Sequence, residues 1–433
     1  MKRGRRVIGS KRIWRMTGMV LLIAGAWAGF AGAQPVELTI ATHWGSGTHL
    51  GLLLDYIREY NEMQSDVVVV HNQSAGFSGT PNEQFLLQAA AGAAPDIVHF
   101  PDNGLRLYAG DLGLIVPPPP AVRSRLEEVF LPGALSLSTL DGVLYGPPTE
   151  NQMHGLALNG VVFREAGVAP DPPQLWDELA SLARRVRRIG PDDAVQVAGA
   201  EMISTRTILS LAWGNGAEIF DEGQRRATLE SDAWVETVRF LADLVQSGSA
   251  ILGNGQTFYE EKAGILLGAA PWMRNNYVAA SGEESYAQLV TAEMPAGRSG
   301  RPVAEAWGYV LGVTKLSEHQ TEAWQFIEWL TTATTERGTT RMGDVMAALG
   351  SIPATYPDFY NQPSRNEAFM LGFGEIVTKG YTRRLDVLPL RVPIRNSIGL
   401  GIEPALRGEA SERAVLAEVQ RLLQNALDEY WSN

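Results

Sequence analysis

Cysteine is absent from this chain of 433 residues. That absence excludes disulfide bonds, thiolate metal sites, a cysteine nucleophile and a lipid anchor attached to an N-terminal cysteine. The G-x-S-x-G pattern of serine hydrolases is also missing, and Gly45-Ser-Gly47 lacks the third glycine of a dinucleotide-binding fingerprint. We therefore expect neither catalysis nor a cofactor. A secreted carbohydrate-active hydrolase stays open, because the two carboxylates of a glycosidase can lie far apart in sequence.

Histidine is also scarce, with six residues in the chain. Those near predicted strand ends or the first predicted crossover are His43, His71, His99 and His154. No pair has the H-x-x-x-H spacing with which a helix presents zinc ligands, and no loop is rich in histidine. We expect no metal site, and a zinc-binding protein remains an alternative interpretation.

The first 33 residues differ in composition from the rest of the chain. Their basic residues are Lys2, Arg3, Arg5, Arg6, Lys11, Arg12 and Arg15. An apolar run from Met19 to Phe30 follows and closes on Ala31-Gly32-Ala33. These parts predict a cleavable signal peptide over residues 1–33 and a periplasmic or secreted protein. The apolar run is shorter than the ~20 residues that span a bilayer.

Basic residues are fewer than acidic ones, with 36 lysines and arginines against 48 aspartates and glutamates. Cleavage after Ala33 would remove seven basic residues and no acidic ones, which makes the mature chain more acidic still. Such a protein is not expected to bind nucleic acid or an anionic membrane surface. A neutral or cationic ligand is expected instead.

Short strands alternate with amphipathic helices after the leader. The predicted order is strand 36–42, helix 50–60, strand 66–71, helix 82–91 and strand 96–100. This βαβαβ order predicts an α/β fold with mainly parallel sheets flanked by helices, and ligands at the carboxyl ends of the strands. Trp44, Ser74, His99 and Asp102 would lie near that edge.

A second alternation follows an extended Gly/Pro segment at 142–150, which is suited to a crossover. Apolar residues three and four apart predict helices at 174–189, 233–246, 321–332 and 411–430. A strand is predicted at 307–313. The length of the chain suggests two domains, or one architecture of two lobes.

Several motifs occur in an order that is typical of one family. They are Ala91-Gly-Ala-Ala-Pro-Asp-Ile-Val98, Tyr145-Gly-Pro-Pro-Thr-Glu-Asn151, Leu158-Asn-Gly-Val-Val-Phe-Arg-Glu-Ala-Gly167, Trp-Asp-Glu-Leu at 176–179, Gly214-Asn-Gly-Ala-Glu-Ile-Phe-Asp221, Ala270-Pro-Trp272 and the segment 302–313. The chain resembles the extracellular solute-binding proteins of family 1, the substrate-binding components of carbohydrate ABC importers and distant relatives of maltose-binding protein. The resemblance covers nearly the whole mature chain.

The resemblance implies a two-lobe periplasmic-binding-protein fold of type II, which closes over its ligand by hinge bending. It places residues 36–147 and 303–344 in the N-terminal lobe, and 148–302 and 345–433 in the C-terminal lobe. It implies a monomer that captures a mono- or oligosaccharide and passes it to ABC permease subunits in the membrane. A protein of the same fold that presents its ligand to a membrane receptor is an open alternative.

Binding a sugar requires flat aromatic surfaces together with carboxylates, amides or guanidinium groups. Four tryptophans lie at strand ends or beside Gly or Pro: Trp44, Trp213, Trp272 and Trp307. Of these, Trp272 occupies the position where the resemblance implies a stacking aromatic. The hydrogen-bonding candidates are Asp102 and Glu150 by resemblance, Ser74 and Asn215 from their loop positions, and Arg391 or Arg395 from the C-terminal part. The segment 391–396 lacks the aromatic residue that maltose-binding relatives offer, which leaves the class of solute open.

Overall fold

A computed structural model of the chain describes residues 35–73, 83–192, 194–363, 367–385 and 391–432. The predicted signal peptide and Ser74 lie outside these ranges. Across the ranges that are described, no helix combines the length and the apolar character that a membrane crossing demands.

Strands and helices alternate throughout the described ranges. The strands are β1 (Val36–Thr42), β2 (Val67–Gln73), β3 (Ile97–Pro101), β4 (Ile115–Val116), β5 (Thr139–Leu140), β6 (Val143–Leu144), β7 (Pro148–Met153), β8 (Gly155–Asn159), β9 (Arg188–Ile189), β10 (Val195–Met202), β11 (Ala250–Leu252), β12 (Ala263–Ala269), β13 (Leu289–Ala292), β14 (Ala304–Thr314) and β15 (Thr382–Arg384).

The helices are α1 (Thr48–Met63), α2 (Glu83–Ala90), α3 (Pro120–Val129), α4 (Pro132–Leu135), α5 (Gly160–Glu165), α6 (Trp176–Val186), α7 (Ser204–Gly214), α8 (Asp232–Gln246), α9 (Gln256–Tyr259), α10 (Arg274–Tyr286), α11 (Gln320–Thr332), α12 (Arg341–Leu349), α13 (Tyr356–Asn361), α14 (Ala368–Thr378), α15 (Arg391–Gly401), α16 (Glu403–Leu406) and α17 (Glu412–Ser432). Short 3-10 turns at Asp102–Gly104 and Pro271–Met273 follow β3 and β12.

The first sheet has the strand order β15-β14-β3-β1-β2, and β4 and β7 also pair with β14. Its strand β1 runs parallel to β2 and β3. Apolar side chains of this sheet pack against α1, α3, α11 and α12, and the resulting core includes Leu38, Ile40, Ile97, Leu311, Leu126, Phe326 and Val345. We call this sheet and its helices the first lobe.

The second sheet has the order β11-β10-β12-β8-β13, with β9 attached to β10. Every residue of β12 is buried, as its continuous apolar run Ala-Gly-Ile-Leu-Leu-Gly-Ala requires of a strand covered on both faces. Helices α6, α7, α8 and α17 cover it, around a core that contains the fully buried Trp234. We call this sheet and its helices the second lobe.

Separate sheets with separate cores agree with the two α/β lobes that the sequence predicts. Both sheets are mixed, because β14 and β8 enter them antiparallel to their neighbours. The exact lobe boundaries stay a prediction. Beyond Asp344, Val345 and Met346 of α12 pack in the first-lobe core, and β15 pairs with β14.

Two paired strands make the first two crossings of the chain between the lobes. The first, β7, pairs antiparallel with β14 and continues through His154 directly into β8 of the second sheet. The return strand β14 has β15 on its other side, so that Ala306 pairs with Met153 and also with Arg384. A side chain at Gly308 would collide with the carbonyl oxygen of Glu150. Glycine is therefore required where these two strands approach each other.

We predict that Gly308→Ala lowers the free energy of unfolding by about 1–3 kcal/mol, because the added methyl group forces β7 and β14 apart. The matched control is Gly374→Ala in α14, where no heavy atom lies within 4 Å of the added Cβ. That change should be neutral or stabilise by up to about 1 kcal/mol, since alanine favours helix. Urea denaturation of the two variants measures both effects. Equal stability of the Gly308→Ala variant and the wild type would contradict the tight strand approach.

Candidate functional site

One face of the paired strands β7 and β14 carries a row of polar and aromatic side chains. Successive side chains of a strand point to opposite faces, so every second residue shares a face. On β7 and its extension these are Glu150, Gln152 and His154, and on β14 they are Glu305, Trp307 and Tyr309. Trp307 lies directly opposite Gln152. We call these six residues the crossover face.

Histidine and tryptophan rings cover the first-lobe end of the crossover face. His43 and Trp44 follow β1, and His99 lies in β3, which places them at the edge that the parallel strands predict. The His43 ring stacks on Tyr309 with 4.5 Å between centroids, and Trp44 lies 4.7 Å from the His99 ring. Glu150 completes this end, with its Oε1 3.9 Å from Nε2 of His43.

The hydrogen bonds of His99 identify its tautomer. Thr149 donates its hydroxyl hydrogen to the carbonyl oxygen of Tyr309, so the same hydroxyl accepts from Nε2–H of His99 over 2.7 Å. The other ring nitrogen, Nδ1, then carries a lone pair. It is buried and has no hydrogen-bond partner among the described residues. Nδ1 of His99 can therefore accept a hydrogen bond from a ligand.

Burial keeps the imidazoles of this face neutral. Desolvation, followed by repulsion from His49, lowers the pKa of His43 to about 4. Desolvation also lowers the pKa of His99 well below its usual value. These rings carry no charge at neutral pH, so they act as hydrogen-bonding groups and stacking surfaces.

The second-lobe end of the crossover face is more highly charged. His154 donates from Nδ1 to Oε2 of the fully buried Glu305 over 3.0 Å. Arg395 of α15 places its Nη1 3.8 Å from the other oxygen of Glu305. Arg206 of α7 lies over the ring of Trp272, 4.9 Å from its centroid. The short turn that carries Trp272 contacts β7.

Unpartnered polar atoms are concentrated along this face. Gln152 has only 1% of its surface exposed, and neither its amide oxygen nor its amide nitrogen has a hydrogen-bond partner among the described residues. The same holds for Nε1 of Trp44. An unsatisfied buried polar group costs about 1–3 kcal/mol, so such a cluster indicates a place where a ligand supplies the missing partners.

The structure brings six of the predicted site residues to this face or its two ends. Glu150 and Trp307 belong to the crossover face, Trp44 covers the first-lobe end, and Trp272 and Arg395 lie at the second-lobe end. Asp102 is buried at the start of the turn that follows β3, next to the first-lobe end. That these six residues bind a ligand together stays a prediction.

Two predicted residues lie in other surroundings. Trp213 packs in the second-lobe core, and Arg383 covers its ring at 4.6 Å, beside a cavity of about 480 Å³. Asn215 donates to the carbonyl oxygen of Ala233 and accepts from the backbone N–H of Arg298, which are bonds that stabilise the local chain. Ser74 and the Arg391 side chain lie outside the described part of the structure.

Sequence reasoning missed several members of the site. Gln152, Tyr309 and Glu305 were not among its candidates, nor was Arg206. A signal for three of them was present: Gln152 lies two residues beyond Glu150, and Glu305 and Tyr309 flank Trp307 at the same spacing. Extending the predicted crossover strand at 142–150 by a few residues would have included Gln152.

The first-lobe end also contains groups that a metal ion accepts. His43, His99 and Glu150 each offer one ligand atom, and these three atoms lie within 4.8 Å of one another. Neutral imidazoles and a carboxylate suit zinc, whose bonds to such ligands measure about 2.0–2.2 Å. Tetrahedral bonds of that length set ligand atoms about 3.3 Å apart, so the three side chains would have to move closer together to hold an ion.

Known proteins match the chain over much of its length. Residues 48–336 match the family model described as bacterial extracellular solute-binding protein. The arabinooligosaccharide-binding protein of Bacillus subtilis (strain 168) is 24% identical over 247 residues, which are 56% of this chain and 56% of that protein. The probable ABC transporter-binding protein of Deinococcus radiodurans is 26% identical over 221 residues, 48% of this chain and 51% of that protein. The matched part of the chain spans about half the length of these relatives.

Solved structures resemble the fold over a longer range. The sugar-binding protein MalE of Xanthomonas citri has a TM-score of 0.76 at 19% identity and covers 91% of this chain and 98% of its own. The cyclic alpha-maltosyl-1,6-maltose binding protein of Arthrobacter globiformis has a TM-score of 0.71 at 22% identity, covering 91% of this chain and 100% of its own. These likenesses confirm the two-lobe periplasmic-binding-protein fold that the sequence predicts.

The buried His154 makes stability dependent on pH. Desolvation, together with repulsion from Arg395 and Arg206 and opposed by Glu305, lowers the pKa of His154 to about 4. An unfolded histidine takes up a proton below pH ~6.5. Between pH ~6.5 and about 4 the unfolded state therefore binds more protons, and stability falls as the pH falls.

We predict that His154 alone accounts for a loss of about 2 kcal/mol in the free energy of unfolding between pH 7.5 and pH 5.0. Between these two pH values the His154→Gln variant should lose about 2 kcal/mol less of its free energy of unfolding than the wild type loses. This difference should not depend on how stable the variant is at pH 7.5. Urea denaturation at the two pH values measures it. An unchanged pH dependence in His154→Gln would refute the prediction.

Proposed function

Because this chain belongs to the family of bacterial extracellular solute-binding proteins, we propose that it captures a saccharide between its two lobes and delivers it to an ABC importer. The closed protein with its ligand is then the form that the permease subunits recognise. It acts without a cofactor and without turnover, as a monomer in the periplasm or outside the cell after cleavage of residues 1–33. The motion is a rotation of the first lobe against the second about the crossover strands β7 and β14.

The observation that carries this proposal is the combination of aromatic rings and unpartnered buried polar atoms on the crossover face. A sugar ring has an apolar face that packs on an aromatic ring, and its hydroxyl groups both donate and accept hydrogen bonds. The face and its two ends supply Trp272 and Trp307 as rings, Nδ1 of His99 as an acceptor, and Gln152 as donor and acceptor. A ligand with several hydroxyl groups would satisfy these atoms.

Closure by a saccharide also has a simple energetic basis. A ligand shifts the balance between open and closed forms only by its higher affinity for the closed form. Trp44 and Glu150 belong to the first-lobe end, whereas Trp272 and Arg395 belong to the second-lobe end. A saccharide long enough to touch both ends gains its full set of contacts only when the lobes are together.

A thermal-shift screen tests the ligand class. The panel contains arabino- and malto-oligosaccharides, monosaccharides, polyols, amino acids and zinc, each measured with and without a chelator. A saccharide at a hundred times its dissociation constant should stabilise the protein by ~2.7 kcal/mol, with no product formed. Stabilisation only by zinc would refute the proposal and assign the His43, His99 and Glu150 group to a metal. Cleavage of the saccharide would refute it in favour of a hydrolase.

We predict that Gln152→Leu weakens saccharide binding without destabilising the fold. Leucine has a similar volume but no polar atoms, so the variant should lose at least tenfold in saccharide affinity by calorimetry, corresponding to about 1.4 kcal/mol. Its free energy of unfolding should stay the same or rise by about 1 kcal/mol, because an unsatisfied buried amide is removed. Unchanged affinity would show that this amide does not bind the ligand.

Trp272→Ala should weaken saccharide binding by about 1–3 kcal/mol, since a stacking surface is lost. The matched control is Trp431→Ala in α17, another tryptophan with an arginine over its ring, Arg225 at 3.9 Å. Trp431 is 42% exposed on the C-terminal helix, where its Nε1 donates to the carbonyl oxygen of Gln224, so its removal should leave affinity unchanged. Equal affinities for Trp272→Ala and the wild type would overturn the stacking role.

A further inference from the structure

Two arginines converge at the second-lobe end of the crossover face. Arg206 comes from α7 and Arg395 from α15, two helices that pack directly against each other, with Gly399 against the backbone of Thr205, and each guanidinium group repels a proton on His154. The charge of Arg395 also acts on Arg206, whose pKa is lowered by burial first and by this repulsion in addition. Two like charges are thus held near each other in a partly buried place.

The described residues neutralise this pair only in part. Arg206 forms no ion pair with a carboxylate in the described ranges, and its hydrogen bond goes to the weak acceptor Sδ of Met273 over 3.9 Å. Arg395 is 3.8 Å from Glu305, while its Nε is buried without a hydrogen-bond partner among the described residues. Glu305 also accepts from His154. Burying a guanidinium group is costly unless its charge is paired and its N–H groups are bonded.

We propose that the saccharide carries an anionic group, a carboxylate or a phosphate, which binds between Arg206 and Arg395. This inference rests on the proposed saccharide-binding function and names the substrate class. The planar fork of an arginine matches the two oxygens of a carboxylate or phosphate. The guanidinium group of Arg206 lies over the ring of Trp272, so its side chain is already restricted before a ligand binds. Binding then costs less side-chain entropy.

The arrangement also orients the ligand. Glu150 and Asp102 belong to the first-lobe end, where a second anionic group would be repelled. An acidic saccharide therefore places its charged group at the second-lobe end and its uncharged sugar units toward Trp44. This proposal departs from the expectation of a neutral or cationic ligand, which was based on the overall acidity of the chain, because a pocket responds to the charges that line it.

Matched ligand pairs test the proposal on the wild-type protein. Calorimetry compares galacturonic acid oligomers with galactose oligomers of the same length, and glucose 6-phosphate with glucose. The acidic member of at least one pair should bind about tenfold to a hundredfold more tightly, and this preference should decline as salt is raised. Preference in the first pair identifies a carboxylate, and preference in the second pair a phosphate.

Three variants test whether Arg206 and Arg395 cause the preference for the acidic ligand. Arg206→Gln and Arg395→Gln should each reduce the ratio of acidic to neutral affinity at least tenfold, whereas Arg206→Lys, which keeps the charge and loses the fork, should retain part of it. The control is Arg413→Gln in α17, an exposed arginine paired with Asp232, which should leave the ratio unchanged. Melting temperatures of all variants establish that they are folded.

The outcomes separate this inference from the proposed function. If neutral saccharides bind as tightly as their acidic partners, the proposal of an anionic group is refuted and the proposal of saccharide capture is not. An acidic preference that survives both glutamine substitutions would overturn the assignment to these arginines. Binding of inorganic phosphate without binding of any saccharide would overturn saccharide capture itself.

Discussion

The hydrogen-bonded pairing of β7 with β14 is the constraint on which the rest of the molecule depends. One strand takes the chain out of the first lobe and the other returns it, so the same ladder joins the lobes and lines the space between them. Its register sets Trp307 opposite Gln152. A slip of one residue would turn Glu150, Gln152 and His154 to the opposite face. Architecture and binding chemistry are therefore fixed by the same backbone bonds.

Burial then decides the electrostatic character of each end of that face. Desolvation makes the histidines neutral, so the first-lobe end consists of stacked rings with a few carboxylates. At the other end Glu305 is fully buried between His154 and Arg395. Such groups interact strongly because little water screens them, whereas charges on the acidic surface are screened within about 10 Å. Local pairing therefore determines the electrostatics of each end more than the net charge of the chain does.

Most of the fold could be predicted from the sequence, because periodicity reports local structure directly. The strand predicted at residues 36–42 coincides with β1, and the family that the motifs indicated is confirmed by the match over residues 48–336. The site was harder, because its members come from distant segments. Trp44 and Trp272 could be proposed from their places beside glycine or proline. Arg206 lies inside a helix, and nothing in its local sequence reveals the pairing with Trp272.

The position of β14 between two neighbours has a mechanical consequence. Where the chain crosses between the lobes, Ala306 is bonded into a strip three strands wide, with Met153 on one side and Arg384 on the other. A strip of this kind resists shear within its plane, because shear would break hydrogen bonds, while flexing out of the plane keeps them intact. In the proposed closure, the lobes would then have one soft direction of motion. Lobes that can move in one direction only would lose little orientational freedom on closing around a ligand. A larger part of the energy of their contacts with the ligand would then contribute to affinity.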